Sequence, residues 1–253
     1  MSPLLTLQGT PLETESVIAL IPARGGSKRL PGKNTKLLAG HPLIAYTIAA
    51  AQQSKVFQQI VVSTDSDEAT QIALSMGAGV IQRPAKYASD DSPDIEWVRH
   101  ALMSQSIADE GHECFAILRP TSPFRTAATI QRAWAEYERS PCDSLRAVEV
   151  VKVNPHKMFY LNNCELIPIL PTYDVPPWHS RPTQTLPWVV QQNASLEFSK
   201  CSLVRDRLFP SITGPRIWGF LNPEPEGFDL NTVEEFEKAE RMVASGEWRL
   251  PSV

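Results

Sequence analysis

The chain has 253 residues, 42% hydrophobic and 21% charged, enough to bury a core as one large α/β domain or as a main domain with a smaller appendage. Its net charge of −4 argues against a broad nucleic-acid surface, and no apolar run is long enough to cross a bilayer. The four cysteines are scattered with no C-x-x-C pair, and neither they nor the five histidines have zinc spacing, so free thiols in a reducing compartment are expected.

The first fifteen residues, "MSPLLTLQGTPLETE", lack a basic start and a long apolar stretch, so a secretory signal is not expected and a cytoplasmic protein is. "SVIALIPA" then reads as a buried strand, short and rich in Val and Ile. "HPLIAYTIAAAQQS" reads as a helix with Pro42 in its first turn. "QQIVVST" is the next strand, "DSDEATQIALSMG" a helix that stops at Gly77, and "GVIQR" a short strand. "DSPDIEWVRHALMSQ" carries a helix start signal, with Ser92 as N-cap, Pro93 at the first position, then Asp94 and Glu96. "CFAILR" is a strand, "TAATIQRAWAEYERS" a helix and "DSLRAVEVV" a strand. This alternation predicts a doubly wound α/β fold with a mostly parallel sheet. Ligands on such sheets bind outside the carboxyl ends of the strands, so the loops after the strands are the place to look for chemistry.

The texture changes at Val151. Residues 151–190 hold seven prolines and no helical periodicity, together with Lys157, Tyr160, Tyr173, Trp178, His179, Arg181 and Trp188. Such a segment is either a loose surface excursion or an extended arm packed on a partner subunit, and large aromatics favour the arm because they are costly on a free loop. Residues 1–150 and 191–253 then form the core, with the arm of 151–190 inserted. "NASLEF" and "RIWGF" look like returning core strands, and "NTVEEFEKAERMVASG" like the closing amphipathic helix.

Within the ten residues Arg24 to Lys33 stand four basic residues and three glycines. From Ser16 to Thr64 there is no Asp or Glu at all, which predicts a local positive field suited to a small anion. The loop is not a P-loop, because Gly32-Lys33 is followed by Asn34 and position 27 is Ser27; nor is it G-x-G-x-x-G. Gly25 and Gly26 nevertheless free backbone N–H groups to turn toward an anion, and Arg24, Lys28 and Lys33 offer charge-assisted contacts to phosphate oxygens. The competing explanation is a basic surface turn. A second loop, "RPTSPFRT", is stiffened by two prolines and presents Thr121 and Ser122, which serve either a ligand or the cap of the next helix. A third, "GFDLNTVEEF", places Asp229, a hard oxygen ligand suited to Mg²⁺, before a helix start. Asn231 is expected to cap that helix, with Glu234 completing a capping box.

The segments "IPARGGSKRLPGKN", "VVSTDSDE", "RPAKYASD", "RPTSPFRT", "QTLPWVVQQNASLEF" and "FDLNTVEEF" together resemble the CMP-N-acylneuraminate synthetase family, the cytidylyltransferases that activate nine- and eight-carbon sugar acids. The resemblance implies a Rossmann-like nucleotidyltransferase fold and a homodimer, with pairing to a tetramer as a further option, in which each arm helps close the partner's site. It implies transfer of CMP from CTP to the anomeric hydroxyl of a sialic-acid-like nonulosonic acid, with Mg²⁺ as cofactor and no nucleic-acid or membrane partner. By the same resemblance Arg24, Lys33 and Asp229 carry the chemistry, while Arg24, Gly25, Gly26, Ser27, Lys28 and Lys33 hold the triphosphate. Asn34, Arg83 and Ser92 belong to the nucleotide site; Arg119, Thr121, Ser122, Lys157 and Arg181 to the sugar acid; Asp229 and Asn231 to the metal. The chain departs from the family pattern at Arg119, where Gln is usual, at Asn231, where a second Asp is usual, and at Thr183, where the arm's arginine is usual. "DDSPDIE" also replaces a small-hydroxyl stretch near the base. Arg119 opens an alternative, a nucleotidyltransferase for a sugar 1-phosphate or one using GTP. Asn231 opens another, a nucleotide-binding protein without catalysis.

Overall fold

The computed structural model describes residues 16–27, 29–171 and 173–253; Lys28 therefore lies outside the described residues. Strand β1 (Val17–Pro22) is followed by the basic loop, a helical turn at Lys33–Thr35, and a small hairpin of β2 (Leu37–Leu38) and β3 (His41–Pro42). Helix α1 (Leu43–Ser54) starts one residue later than the sequence suggests: Pro42 is extended and pairs with Leu37, so it precedes the first turn rather than entering it. Next come β4 (Gln59–Thr64), α2 (Asp67–Ser75) and β5 (Gly79–Gln82). Ser66 caps α2 by accepting from the Ala69 N–H at 3.3 Å, and Gly77 follows the helix at φ 75°, where a Cβ is unfavourable.

The expected helix over 91–105 is two helices, α3 (Asp94–Leu102) and α4 (Gln105–Ala108). Ser92 is not the cap of α3. Pro93 occupies that place, and the Ser92 hydroxyl donates instead to Glu96 Oε2 at 2.5 Å. After β6 (Cys114–Leu118), Thr126 and Thr129 form a capping box that starts α5 (Ala127–Arg139). The chain continues through β7 (Ser144–Val150), a hairpin of β8 (Phe159–Asn162) and β9 (Glu165–Pro168), β10 (Val190–Lys200), α6 (Cys201–Arg205), β11 (Ile217–Leu221) and α7 (Val233–Ala244).

The main sheet has seven strands in the order β11-β7-β10-β6-β1-β4-β5. All neighbours run parallel except β10, which is antiparallel to both β6 and β7. Strand β1 is buried on both faces, and its side chains divide by the two-residue period. Val17, Ala19 and Ile21 pack with α1, α2 and α5; Ile18 and Leu20 pack with α3, α4 and α6. That division is the doubly wound architecture the β-α alternation predicts. A third apolar cluster, with Leu30, Leu38, Phe124, Phe228, Phe236 and Trp248, fastens α7 and the basic loop to the carboxyl edge of the sheet.

The cap of α7 is Thr232, not Asn231. Its hydroxyl accepts from the Glu235 N–H at 3.2 Å, and Glu235 Oε2 accepts from the Thr232 N–H at 2.9 Å. The box lies one residue further along than Asn231 and Glu234 would place it, which leaves the Asn231 side chain available to the cleft described next.

Candidate active site

The strand order reverses at β1, which has β4 on one side and β6 on the other. At the carboxyl ends of these strands lies a cleft of about 640 Å³. A switch point of this kind splays the loops on either side and opens room for a ligand. The cleft gathers residues far apart in sequence: Arg24, Ser27, Lys33 and Asn34 after β1, Arg83 and Ser92 after β5, Arg119 and Thr121 after β6, Asp229 and Asn231 before α7. All ten were singled out from the sequence. Arg29, Tyr87, Asp90, Asp94 and Trp97 also line it.

The basic loop is held from behind. Asn34, buried, donates from Nδ2 to the Arg24 carbonyl at 3.0 Å, which orients its amide at the edge of the cleft. Arg24 reaches across to the loop after β5, pairing with Asp90 at 2.6 Å and donating to the Ala88 carbonyl at 3.2 Å. The glycines act differently from the expectation. The Gly25 N–H is not turned toward the cleft but donates to Asp65 Oδ1 at 2.8 Å. A Cβ at Gly25 would meet Ser66 at an ordinary contact distance of 3.4 Å and one at Gly26 would meet open space, so crowding requires glycine at neither position.

Lys33 Nζ donates to Asn231 Oδ1 at 2.9 Å, and Asn231 Nδ2 donates to Asp229 Oδ2 at 2.5 Å. This chain links the first loop to the last within the lining of the cleft. Burial pushes the Lys33 pKa below its usual value, with Arg29, Arg24 and Arg119 acting in the same direction and Asp229 partly opposing them. The other oxygen of Asp229, Oδ1, is buried and has no hydrogen-bond partner among the described residues. A buried carboxylate oxygen without a donor is costly unless a cation or a ligand hydrogen meets it. Asp229 is positioned by the backbone on either side. The Leu230 N–H donates to the Thr121 carbonyl at 2.8 Å. Upstream, a Cβ at Gly227 would collide with the Asn193 side chain and the Asn222 carbonyl, so only glycine lets this loop approach β10.

Arg83 is buried beneath the cleft. It donates from Nε to Ser63 Oγ at 3.1 Å and from Nη2 to the Ser63 carbonyl at 2.9 Å, and its guanidinium lies 4.8 Å from the centre of the Trp97 ring. Burial lowers its pKa to about 10, so it stays charged at neutral pH. Arg119 donates to Asp94 Oδ2 at 2.6 Å and to Glu197 Oε1 at 3.3 Å, and Arg146 meets the other Glu197 oxygen at 3.1 Å. Burial disfavours the charged forms of both Arg119 and Asp94, but their mutual attraction wins: the arginine pKa is raised and the aspartate pKa lowered. The cation at position 119 is therefore neutralised by acids of the same chain.

Arg125, in "RPTSPFRT", has no acidic partner among the described residues. It is fully buried and forks into the Arg119 carbonyl at 3.3 Å, Thr47 Oγ1 at 3.1 Å and the Ser195 carbonyl, and burial depresses its pKa to about 9. It pins the loop after β6 to α1 and to the irregular part of β10, where the register shifts between Gln192 and Glu197 and Ala194 takes φ 59°. Sequence reasoning named none of Arg125, Asp94, Glu197 and Asp90 as a site residue, reading Asp94 only as part of a helix start. Ser122, in the same loop, is buried, finds no partner for its hydroxyl among the described residues and does not line the cleft.

Lys157 and Arg181 are not in this cleft. Arg181 is engaged inside the arm, donating from Nε to the Pro176 carbonyl at 2.9 Å, pairing with Asp174 at 3.2 Å and stacking 4.5 Å from the Trp178 ring centre. No helix among the described residues is long and apolar enough to cross a membrane, and they hold no cluster of three or more His, Cys, Asp or Glu side chains arranged for a metal. A cation at Asp229 would thus need a ligand to complete its coordination.

Known proteins share both the sequence and the fold. A family model described as cytidylyltransferase matches residues 18–167. An N-acylneuraminate cytidylyltransferase of Escherichia coli is 46% identical over 122 residues, covering 48% of this chain and 28% of the relative. A CMP-N,N'-diacetyllegionaminic acid synthase of Legionella pneumophila is 44% identical over 140 residues, 55% of this chain and 60% of the relative. The chain thus spans less than two thirds of the length of either relative. Among solved structures, a CMP:2-keto-3-deoxy-manno-octonic acid synthetase complexed with CTP superposes with a TM-score of 0.63 at 14% identity, over 92% of this chain and 100% of the other, a likeness of fold. With a cytidylyltransferase model matched over more than half its length, this chain belongs to the cytidylyltransferase family.

Proposed function

We propose that this protein transfers CMP from CTP to the anomeric hydroxyl of a nonulosonic, sialic-acid-like sugar acid and releases pyrophosphate. The hydroxyl oxygen bonds to the α-phosphorus, the bond from that phosphorus to the β-phosphate bridge breaks, and the hydroxyl proton is released. The observation that carries the reading is the Lys33–Asn231–Asp229 chain in the lining of a cation-rich cleft at the switch point. The names of the relatives, an N-acylneuraminate cytidylyltransferase and a diacetyllegionaminic acid synthase, support the nonulosonic class.

Phosphoryl transfer asks a protein mainly for positioning and for charge stabilisation. Arg24, Ser27 and Lys33 would hold the triphosphate, joined by Lys28 on the sequence reading. Asn34 and Arg83 would meet the base, and Thr121 with its loop would line the sugar side. Asp229 and Asn231 fit Mg²⁺, which binds through one or two carboxylates plus substrate phosphates. The unpartnered Oδ1 of Asp229 is a hard anionic ligand, and Asn231 would exchange Lys33 for the ion. When bound, the ion neutralises phosphate charge. Lys157 and Arg181 would act on the sugar carboxylate from the arm of a partner subunit in a homodimer. The cysteines are free thiols, three of them buried, in keeping with a cytoplasmic setting.

Arg119 suggested a sugar 1-phosphate or GTP as alternative substrates, but that support falls away because Asp94 and Glu197 hold its guanidinium. A panel of CTP, UTP and GTP against nonulosonic acids and sugar 1-phosphates, scored by pyrophosphate release, tests the proposal. Turnover is expected only with CTP and a nonulosonic acid; none with any such pair overturns it.

A further inference from the structure

Trp97 is buried under the cleft and touches two charged side chains at once. Its Nε1–H donates to Asp94 Oδ1 at 2.7 Å, and its ring carries the Arg83 guanidinium at 4.8 Å. The indole thus sets an anion and a cation side by side in the wall of one cleft. Both are fixed. Arg83 is anchored to Ser63 through Nε and Nη2, while Asp94 Oδ2 is held by Arg119 at 2.6 Å. Each Asp94 oxygen accepts one bond from the protein and keeps capacity for another, and the side chain remains 33% exposed.

A fixed acceptor next to a fixed donor is the complement of a ligand edge that bears a donor next to an acceptor. Cytosine has such an edge, with its exocyclic amine beside the ring nitrogen and carbonyl. Uracil turns a carbonyl oxygen to the same place, where a carboxylate repels it. We propose that Asp94 selects the base, its carboxylate accepting from the cytosine amine while Arg83 donates to the neighbouring ring edge. Arg119 then serves as a positioning residue that keeps Asp94 ionised and aimed, rather than as an anion site of its own. The inference rests on the reading of the cleft as a CTP site.

Calorimetric titration of the full chain with CTP and with UTP, Mg²⁺ present and no sugar acid, tests it. The wild type is expected to bind CTP at least about tenfold more tightly than UTP, the scale of one hydrogen bond to a charged group. Asp94→Asn should erase most of that preference, chiefly by weakening CTP, since the triphosphate contacts are common to both nucleotides. Trp97→Phe keeps the ring but removes the donor to Asp94, and should lower the preference by a smaller factor. If Asp94→Asn does not fold, Trp97→Phe decides. A CTP-to-UTP ratio unmoved in a folded variant overturns the inference while leaving the CTP reading intact. Binding of neither nucleotide to the wild type removes the CTP reading and the inference together.

Discussion

The cleft and the arm are built on opposite principles. In the cleft, polar side chains are held by partners distant in sequence: Lys33 by Asn231, Arg119 by Asp94 and Glu197, Arg125 by Thr47 and Ser195. In the arm Arg181 turns instead to near neighbours, Asp174, Pro176 and Trp178, and several large apolar groups face outward. Tyr173 is 95% exposed, Leu161 74% and Trp188 72%. The cleft is pre-organised by one chain, so its fixed dipoles and charges need little rearrangement when a ligand arrives. The arm has no such closure, and its apolar surface has a physical reason to meet something else.

The comparison can be broken most sharply at Asp229. Its Oδ1 is the one cleft oxygen that is buried, anionic and unpartnered among the described residues. Asp229→Ala is expected to lower kcat/KM by on the order of 10²–10³, as for removal of one strong electrostatic contact, with little loss of thermal stability. Pyrophosphate release against a melting curve measures both. Unchanged turnover would take the metal role from Asp229. Next in size is Arg125→Met. It removes a buried guanidinium on which the Arg119 and Ser195 carbonyls depend, and is expected to cost about 3 kcal/mol in urea unfolding. A cost within the scatter of surface substitutions would show that the loop after β6 is held by something else.

Lys33 gives the comparison a pH signature. Its pKa lies below the usual lysine value because it is buried among other cations. The folded state therefore releases this proton at a lower pH than the unfolded state does. Between its lowered pKa and 10.5 the unfolded chain binds more protons, so this group makes stability rise as pH increases through that window. Activity should move the opposite way, because the neutral amine no longer attracts phosphate. A kcat/KM profile that declines on the alkaline side, with the decline removed in Lys33→Met, is the expected result. Thr232→Ala is smaller again, about 1 kcal/mol for a lost N-cap, with a partial loss of turnover because the same helix start sets Asn231.

Much of the frame was legible. Short runs of Val and Ile alternating with helical patterns give the parallel sheet, and a stretch without acids between Ser16 and Thr64 marks the first loop. Those signals are local, and a local reading captures them. The charge partners are not local: Arg119 finds Asp94 25 positions away and Glu197 78 positions away, and no periodicity announces either pairing. Ser92 and Asn231 looked like caps because both are good cap residues next to a helix, yet Pro93 and Thr232 sit one step closer to the first turn. The β8–β9 hairpin escaped notice because its turn is made by Asn163 and Cys164, both at positive φ (46° and 78°), where glycine is the usual second residue.

The arm offers the smallest effect on the chain itself and the clearest contrast. Leu161 lies on β8, paired with Leu166 and exposed to solvent. In a chain on its own, Leu161→Asp removes almost no buried surface and should change unfolding by less than about 0.5 kcal/mol. In a homodimer the same substitution places a charge in an apolar contact, which is costly without a partner for it. Sedimentation of the wild type is expected to give a dimer, and of Leu161→Asp a monomer with an unaltered melting curve measured at low concentration. Turnover should fall with dissociation if Lys157 acts across the interface, and CTP binding should persist, because every residue assigned to the nucleotide lies on the core side of the chain. A wild type that sediments as a monomer would leave the exposed apolar surface of the arm without its proposed partner.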